Sequence, residues 1–242
     1  MPSSPLLDQY MPPLLSGNRR VCRKLVQDHA AEVDDPSKLY YDLLWPAMER
    51  VDKLFRSDRI NALAENMATR INRSIADQLQ LRLPQGEPNG KRVVIVSAPG
   101  EPEELGAQMC ADLFESRGWD VYFIGGGIPN DEILTVVGQL RCDLLLIFGT
   151  QPVGVPSVRK LIDLIRTIGV NPTMNIMVSG SVYNRADGLW KEVNADLFAK
   201  TAKMALRIAE TAKPRTPEPL PKPGAPKKRR RRRSPPILAA TE

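Results

Sequence analysis

The first third of the chain repeats apolar positions with the period of a helix. Between residues 39 and 55, Leu44, Met48, Val51 and Phe55 follow one another at spacings of four, three and four. This spacing places the four side chains on one helical face. The pattern therefore predicts an amphipathic helix, in which an early proline, Pro46, would start or kink the helix rather than end it.

The residues on either side of this helix extend the same pattern. Asp58 is the predicted N-cap of the next helix. Its apolar stripe consists of Ile60, Leu63, Met67, Ile71, Ile75 and Leu79. Two earlier segments, around residues 6–15 and 18–33, bring the number of helices to four. Short loops favour antiparallel neighbours, so we expect residues 6–83 to form a four-helix cap bundle.

After a turn-rich linker at residues 84–90, short apolar runs alternate with helical segments. The predicted strands are residues 92–97, 119–124, 143–148, 175–178 and 196–198. The predicted helices are residues 102–117, 130–140, 155–168 and 199–212. Strands that alternate with helices indicate a parallel sheet covered on both faces. Residues 91–213 thus predict a flavodoxin-like (Rossmann-like) α/β domain of five strands, with a ligand crevice at their carboxyl ends.

The positive charge of the chain is concentrated at its end. The formal net charge is +6, but residues 214–242 contain nine Lys/Arg and two Asp/Glu, so the rest of the chain is nearly neutral. The basic run comprises Lys227, Lys228, Arg229, Arg230, Arg231, Arg232 and Arg233. Prolines and repelling charges predict a disordered tail. Such a tail favours loose, sequence-independent attachment to nucleic acid or an acidic partner over specific readout.

Composition restricts the setting and the chemistry. No apolar run reaches membrane-spanning length, no secretory leader is visible, and the three cysteines are widely spaced, so we expect a cytoplasmic protein with buried thiols and no membrane partner. The chain has one histidine, His29, among polar residues. No Ser-His-Asp set, Cys-His set, P-loop or metal-ligand cluster stands out, and we interpret the protein as non-enzymatic with no protein metal site.

The loop after the first predicted strand reads Ser97-Ala98-Pro99-Gly100-Glu101-Pro102-Glu103-Glu104-Leu105-Gly106. Taken alone, it is also what an ordinary strand-to-helix turn with acids at a helix N-terminus looks like. It resembles the signature loop of cobalamin-binding domains, Asp/Glu-x-His-x-x-Gly. Glu101 and Gly106 fit that signature, whereas Glu103 stands where the family has the histidine that is the lower axial ligand of cobalt. The resemblance implies a corrinoid pocket in which histidine ligation is not possible at position 103.

The helical half resembles the cap domain of corrinoid carrier proteins and of cobalamin-dependent light-sensing regulators. The resemblance runs through residues 39–48 and 55–66. The light-sensing members have a tryptophan and, after nine residues, Glu-His, which cover the upper face of the corrinoid. Here Phe55, Glu65 and Asn66 take those places. The matching segments follow one another in the same order as in the family, over roughly residues 6–212.

Three further residues match the family near the ends of predicted strands. Thr150 falls where the family has a hydroxyl residue, and Ser179 and Gly180 fall where it has a Gly-Gly pair that lines the slot for the nucleotide tail. The resemblance implies a lower slot formed by Glu101, Glu103, Gly106, Thr150, Ser179 and Gly180. Loop chemistry common to parallel sheets is the other interpretation of these residues.

The missing histidine leaves three outcomes open. A corrinoid binds with its own base kept on the metal, binds weakly through its amide periphery, or is not bound at all. The main functional interpretation is a cobalamin-binding regulatory or sensor protein that acts on transcription through a protein partner or its tail. The alternatives are a methyl-carrier subunit of a methyltransferase system and a cofactor-free adaptor. All three functions require the bundle to lie over the sheet. The sensor and the methyl carrier also require a cavity wide enough for a flat macrocycle.

Overall fold

The computed structural model describes residues 5–101 and 104–217, which form a helical cap and an α/β unit. In the cap, α1 is Pro5–Leu15, α2 is Arg19–Glu32, α3 is the single turn Ser37–Leu39, α4 is Trp45–Arg56 and α5 is Ala62–Gln80. A π-helical turn, Tyr40–Leu44, joins α3 to α4, so these three segments make one continuous helical stretch. The four-helix cap predicted from the sequence is therefore present.

Local backbone chemistry changes two details of that prediction. Pro46, which lacks an N–H, lies in the first turn of α4 directly after the π-turn, where the hydrogen-bond pattern changes, and it does not end the helical stretch, as expected. The predicted N-cap at Asp58 is wrong, because Asp58 has a φ of 54° and Asn61 accepts the N–H of Ala64 instead. Leu63, predicted on the apolar stripe, is 66% exposed because it precedes the part of α5 that packs on the other helices.

The α/β unit contains five parallel strands in the order β2-β1-β3-β4-β5, as predicted. The strands are β1 Arg92–Ser97, β2 Asp120–Gly125, β3 Leu144–Phe148, β4 Asn175–Ser179 and β5 Leu197–Ala199. The helices are α6 Leu105–Glu115, α7 Asn130–Leu140, α8 Val155–Ile168, α9 Ser181–Arg185, α10 Leu189–Glu192 and α11 Ala202–Thr211. A 3₁₀ turn, Pro152–Gly154, precedes α8. The short helices α9 and α10 were not predicted.

The two faces of the sheet have different partners. One face packs against α7 and α8, and the other packs against α6 and α11 and is continuous with the core of the cap. Strands β1, β3 and β4 are almost fully buried, which explains why they appear in the sequence as unbroken apolar runs. The cap therefore lies beside α6 and reaches the carboxyl edge of the sheet.

Two expectations about composition can be compared with the structure. Cys22, Cys110 and Cys142 are free and buried, as predicted, and burial raises the pKa of each thiol. In the described part of the chain, no helix combines the length and apolarity needed to cross a membrane. The basic run, residues 227–233, lies outside the described residues.

Candidate functional site

A cavity lies between the cap and the carboxyl edge of the sheet. Its walls come from α4 and α5 on one side and from the start of α6, the end of β3 and the loop after it on the other. The lining residues are Trp45, Met48, Glu49, Val51, Asp52, Glu65, Thr69, Asn72, Leu105, Gly106, Phe148, Thr150, Gln151, Ser181 and Asn184. The structure thus places the cavity where the sequence predicted it, at the open end of the sheet under the bundle.

The cavity is narrower than expected. Its volume is about 110 Å³, whereas sites for small molecules and cofactors commonly enclose about 300–1,000 Å³. The expectation of a space already wide enough for a flat macrocycle is therefore wrong for this conformation. We therefore expect the cap to move away from the sheet edge when a macrocycle binds.

The floor of the cavity contains a buried hydrogen-bond donor without a partner. Asn72 is 1% exposed; its Oδ1 accepts a hydrogen bond of 2.7 Å from the Tyr10 hydroxyl, and its Nδ2 has no partner. A buried polar group left unpaired costs about 1–3 kcal/mol. Asn72 therefore offers an N–H group that is suited to an acceptor oxygen of a ligand.

An aromatic side chain forms the wall of the cavity on the cap side. Trp45 meets the Phe148 ring edge to face, with centroids 6.1 Å apart, and its Nε1 donates a hydrogen bond of 3.0 Å to Glu49. Burial raises the pKa of Glu49, although the hydrogen bond from Trp45 opposes this shift. The wall thus combines a flat apolar surface with one acidic group.

The predicted upper cover is only partly at the cavity. Glu65 is one of its lining residues. Asn66 is exposed and its Nδ2 donates to the Ala62 carbonyl one turn earlier, while Phe55 is half-buried near the end of α4. Neither Phe55 nor Asn66 lines the cavity. Phe55 shares a helical face with Met48 and Val51 but lies beyond them, at the end of α4, and the Asn66 side chain is bound to its own helix.

The predicted lower slot is divided between two places. Gly106 and Thr150 line the cavity. Glu101 instead accepts hydrogen bonds from the backbone N–H groups of Thr150 and Gln151, at 2.6 and 2.9 Å, and from the Thr150 hydroxyl. The Glu101 carboxylate therefore caps the loop after β3 rather than facing the cavity. Glu103 lies outside the described residues.

The other two predicted slot residues hold neighbouring strands together. Ser179 is fully buried and its hydroxyl donates to the Ala199 carbonyl at 2.9 Å. Gly180 has a φ of 107°, and a Cβ placed there would lie 2.1 Å from the carbonyl oxygen of Gly149. Gly180 therefore permits close approach of two backbone segments, and neither it nor Ser179 lines the cavity.

Sequence reasoning missed most of the lining, chiefly Trp45, Thr69, Asn72, Phe148, Gln151, Ser181 and Asn184. Trp45 lies in a segment that resembles the family's cap, and its spacing of three and seven residues from Met48 and Asp52 places it on the same helical face as these lining residues. Asn72 interrupts the apolar positions of α5 as the buried polar residue next to Ile71. A polar residue at a core position was the signal that could have identified the cavity floor.

A polar contact links the cap to α6 away from the cavity. The Tyr40 hydroxyl lies 2.9 Å from both the Asp112 carboxylate and the Ala76 carbonyl. Burial raises the pKa of Asp112 to about 6, although the hydrogen bond from Tyr40 lowers it. This contact holds the bundle in place beside the sheet.

Protein ligands for a metal are not apparent at the site. In residues 5–101 and 104–217, no group of three or more His, Cys, Asp or Glu side chains could hold a metal ion. His29 is in the last turn of α2 and is not a cavity residue.

A helical cap over the carboxyl edge of a flavodoxin-like sheet is the arrangement that the sequence resemblance predicts for a corrinoid-binding protein. Family comparisons agree: residues 91–210 match one family described as a B12 binding domain, and residues 6–80 match a second with the same description. The chain belongs to the B12-binding domain family, and the cofactor of that family is cobalamin.

The individual relatives are distant in sequence, but the alignments cover most of their length. The chain is 23% identical to dimethylamine corrinoid protein 1 of Methanosarcina acetivorans over 179 residues, and this alignment covers 73% of this chain and 83% of the relative. It is 21% identical to the dimethylamine corrinoid protein of Methanosarcina barkeri over 213 residues, an alignment that covers 87% of this chain and 98% of the relative. These names describe corrinoid proteins and give no support to the transcriptional sensor interpretation.

The fold also agrees with a solved structure. The monomethylamine corrinoid protein of Methanosarcina barkeri aligns with a TM-score of 0.76 at 16% identity, over 84% of this chain and 96% of that chain. At this identity the likeness concerns the fold alone, and it covers both the cap and the sheet.

The residues present fit the ring of a corrinoid better than its nucleotide tail. Amide side chains surround a corrin ring, and the unpartnered Asn72 Nδ2 and the flat Trp45 wall suit such a periphery. The predicted lower slot, in contrast, contains the Phe148 ring and the hydrogen-bonded Glu101 and Ser179 side chains.

Proposed function

We propose that this protein is a corrinoid-carrying subunit of a methyl-transfer system. One observation carries the proposal: the cavity lies between the two segments that match B12-binding families, and it contains a buried donor without a partner. The names of the relatives favour this function over a regulatory one. The methyl donor and acceptor would be handled by separate partner proteins, so this chain is a carrier and not the catalyst.

The residues of the cavity have different roles in this proposal. A bound corrinoid supplies a cobalt centre that accepts and releases a methyl group. Trp45 and Val51 of α4 cover one face of the ring, and Asn72 donates a hydrogen bond to an oxygen at its edge. Thr150 and Gln151 present their side chains from the sheet edge, where Glu101 fixes their backbone. No protein residue described here binds the cobalt.

Retention of colour tests this proposal. We expect the full chain, incubated with hydroxocobalamin or cobinamide and passed through gel filtration, to elute coloured with one corrinoid per chain. Thr69→Arg should weaken binding at least about tenfold, since the longer side chain fills the cavity.

Leu63→Arg is the matched control, because it adds the same side chain to the same helix at an exposed position. It should bind as the wild type does. A wild-type protein that elutes colourless with both corrinoids would refute the carrier proposal and leave the cofactor-free adaptor. Equal binding by the two arginine variants would place the ligand elsewhere.

A further inference from the structure

The last residues of four strands form a row across one face of the sheet. The register pairs Ser97 with Phe148, Phe148 with Ser179, and Ser179 with Ala199. Paired residues of parallel strands point to the same face. The row therefore consists of three small side chains and one large aromatic ring. The small side chains leave space above the sheet, and Phe148 is the one member of the row large enough to fill it.

The ring of Phe148 fills that space against α6. A Cβ added at Gly106 would lie 2.2 Å from Cζ of Phe148, so the absence of a side chain at Gly106 is what admits the ring. Phe148 is 3% exposed and Trp45 of the cap packs across it. The hydroxyl of Ser97, the neighbour of Phe148 in the row, is buried without a partner. The space between α6 and this row, which we call the slot, thus contains an unpaired hydroxyl that suits an inserted ligand group. The Phe148 ring occupies that space.

Backbone donors at the same edge are also occupied. The N–H groups of Thr150 and Gln151 bind Glu101, and the N–H group of Gly126 binds Glu104. Backbone N–H groups at the ends of parallel strands are common positions for phosphate groups. Here two carboxylates of the loop between β1 and α6 take those donors, which leaves them unavailable to the phosphate of a nucleotide tail.

We propose that Phe148 closes the slot between α6 and the sheet, so that the protein binds a corrinoid with its nucleotide tail outside the sheet. This inference rests on the proposed carrier function and adds a statement about which form of corrinoid the protein accepts. A cobalamin would keep its own base on the metal, and cobinamide, which lacks the tail, would bind as well as cobalamin. Insertion of the tail would require the Phe148 ring to leave a buried position.

The ratio of two dissociation constants tests the inference. For the wild type, we expect the values for cobinamide and cobalamin to agree within about threefold, and bound cobalamin to keep the visible spectrum of the base-coordinated form. Phe148→Ala should open the slot, improve cobalamin binding relative to cobinamide by about tenfold, and shift the spectrum towards the base-displaced form.

Phe114→Ala is the matched control, because Phe114 is a buried aromatic residue at the far end of α6, against Trp119. It should leave the ratio and the spectrum unchanged. If Phe148→Ala does not fold, Phe148→Leu is the replacement and should shift both readouts in the same direction, to a smaller extent.

The outcomes separate this inference from the carrier proposal. A wild type that binds neither corrinoid refutes the carrier function. A wild type that binds cobalamin at least about tenfold more tightly than cobinamide, with its base displaced, refutes the closed slot and leaves the carrier function intact. An unchanged ratio in both Phe148 variants removes Phe148 as the cause.

Discussion

Replacement of Gly180 by alanine should lower the free energy of unfolding by about 3 kcal/mol or more. Two effects add at this position. The φ of 107° is a conformation that residues with a side chain rarely adopt, and the new Cβ would lie 2.1 Å from the carbonyl oxygen of Gly149. Backbone cannot swing aside as a side chain can, so β4 and the loop after β3 would have to separate. Urea denaturation followed by circular dichroism measures the loss.

Gly90→Ala is the control for backbone conformation alone. Gly90 also has a positive φ, 73°, but a Cβ there meets no atom within 4 Å. Its replacement should cost about 1–2 kcal/mol, the penalty for the left-handed conformation. Equal losses at Gly90 and Gly180 would show that the two strand ends are not in close contact.

Replacement of Tyr40 by phenylalanine should destabilise the protein by about 2–3 kcal/mol at neutral pH, because Asp112 would lose its buried donor. The effect should depend on pH. Burial raises the pKa of Asp112 from its ordinary value of 3.8 to about 6, and the nearby Glu115 and Asp77 carboxylates act in the same direction.

The raised pKa means that the folded protein holds the Asp112 proton more firmly than the unfolded chain does. Asp112 therefore costs stability progressively as the pH rises from about 4 to about 6, by up to about 3 kcal/mol, and adds no further loss above that range. The hydrogen bond from Tyr40 lowers the pKa, so in Tyr40→Phe we expect the Asp112-linked loss to continue above pH 6.

Tyr10→Phe provides a control with a neutral partner. The Tyr10 hydroxyl donates to Asn72 and not to a carboxylate. Its removal should cost about 1 kcal/mol, with no change in the pH dependence. Chemical denaturation between pH 4 and pH 8 separates the variants; parallel curves for Tyr40→Phe and the wild type would contradict the buried Tyr40–Asp112 contact.

Much of the fold could be predicted because local pattern and burial agree. The apolar runs of β1 and β3 are buried on both faces, so their positions could be read from composition alone. The helices α7 and α8 were predicted at the bounds that the structure shows. In contrast, Asp58 has the chemistry of an N-cap but adopts a left-handed conformation, and α9 and α10 are too short to show a period.

The candidate site was harder to predict because it depends on contacts between distant segments. The spacing of Glu101 and Gly106 identified the right loop, but not that Glu101 would bind the backbone after β3. Phe148 looked like the end of an ordinary buried strand. Only the approach of Gly106 on α6 shows that its ring fills a slot, and no local signal in the sequence reports such an approach.

A crystal structure of the full chain with bound cobinamide would locate the corrinoid. We expect the ring to lie between α4 of the cap and the carboxyl edge of β3. Its edge should accept a hydrogen bond from Asn72 Nδ2, and the cap should have moved outward. A ring bound at any other surface, with the cavity beside Trp45 still closed, would show that the space between the cap and the sheet is not the corrinoid site.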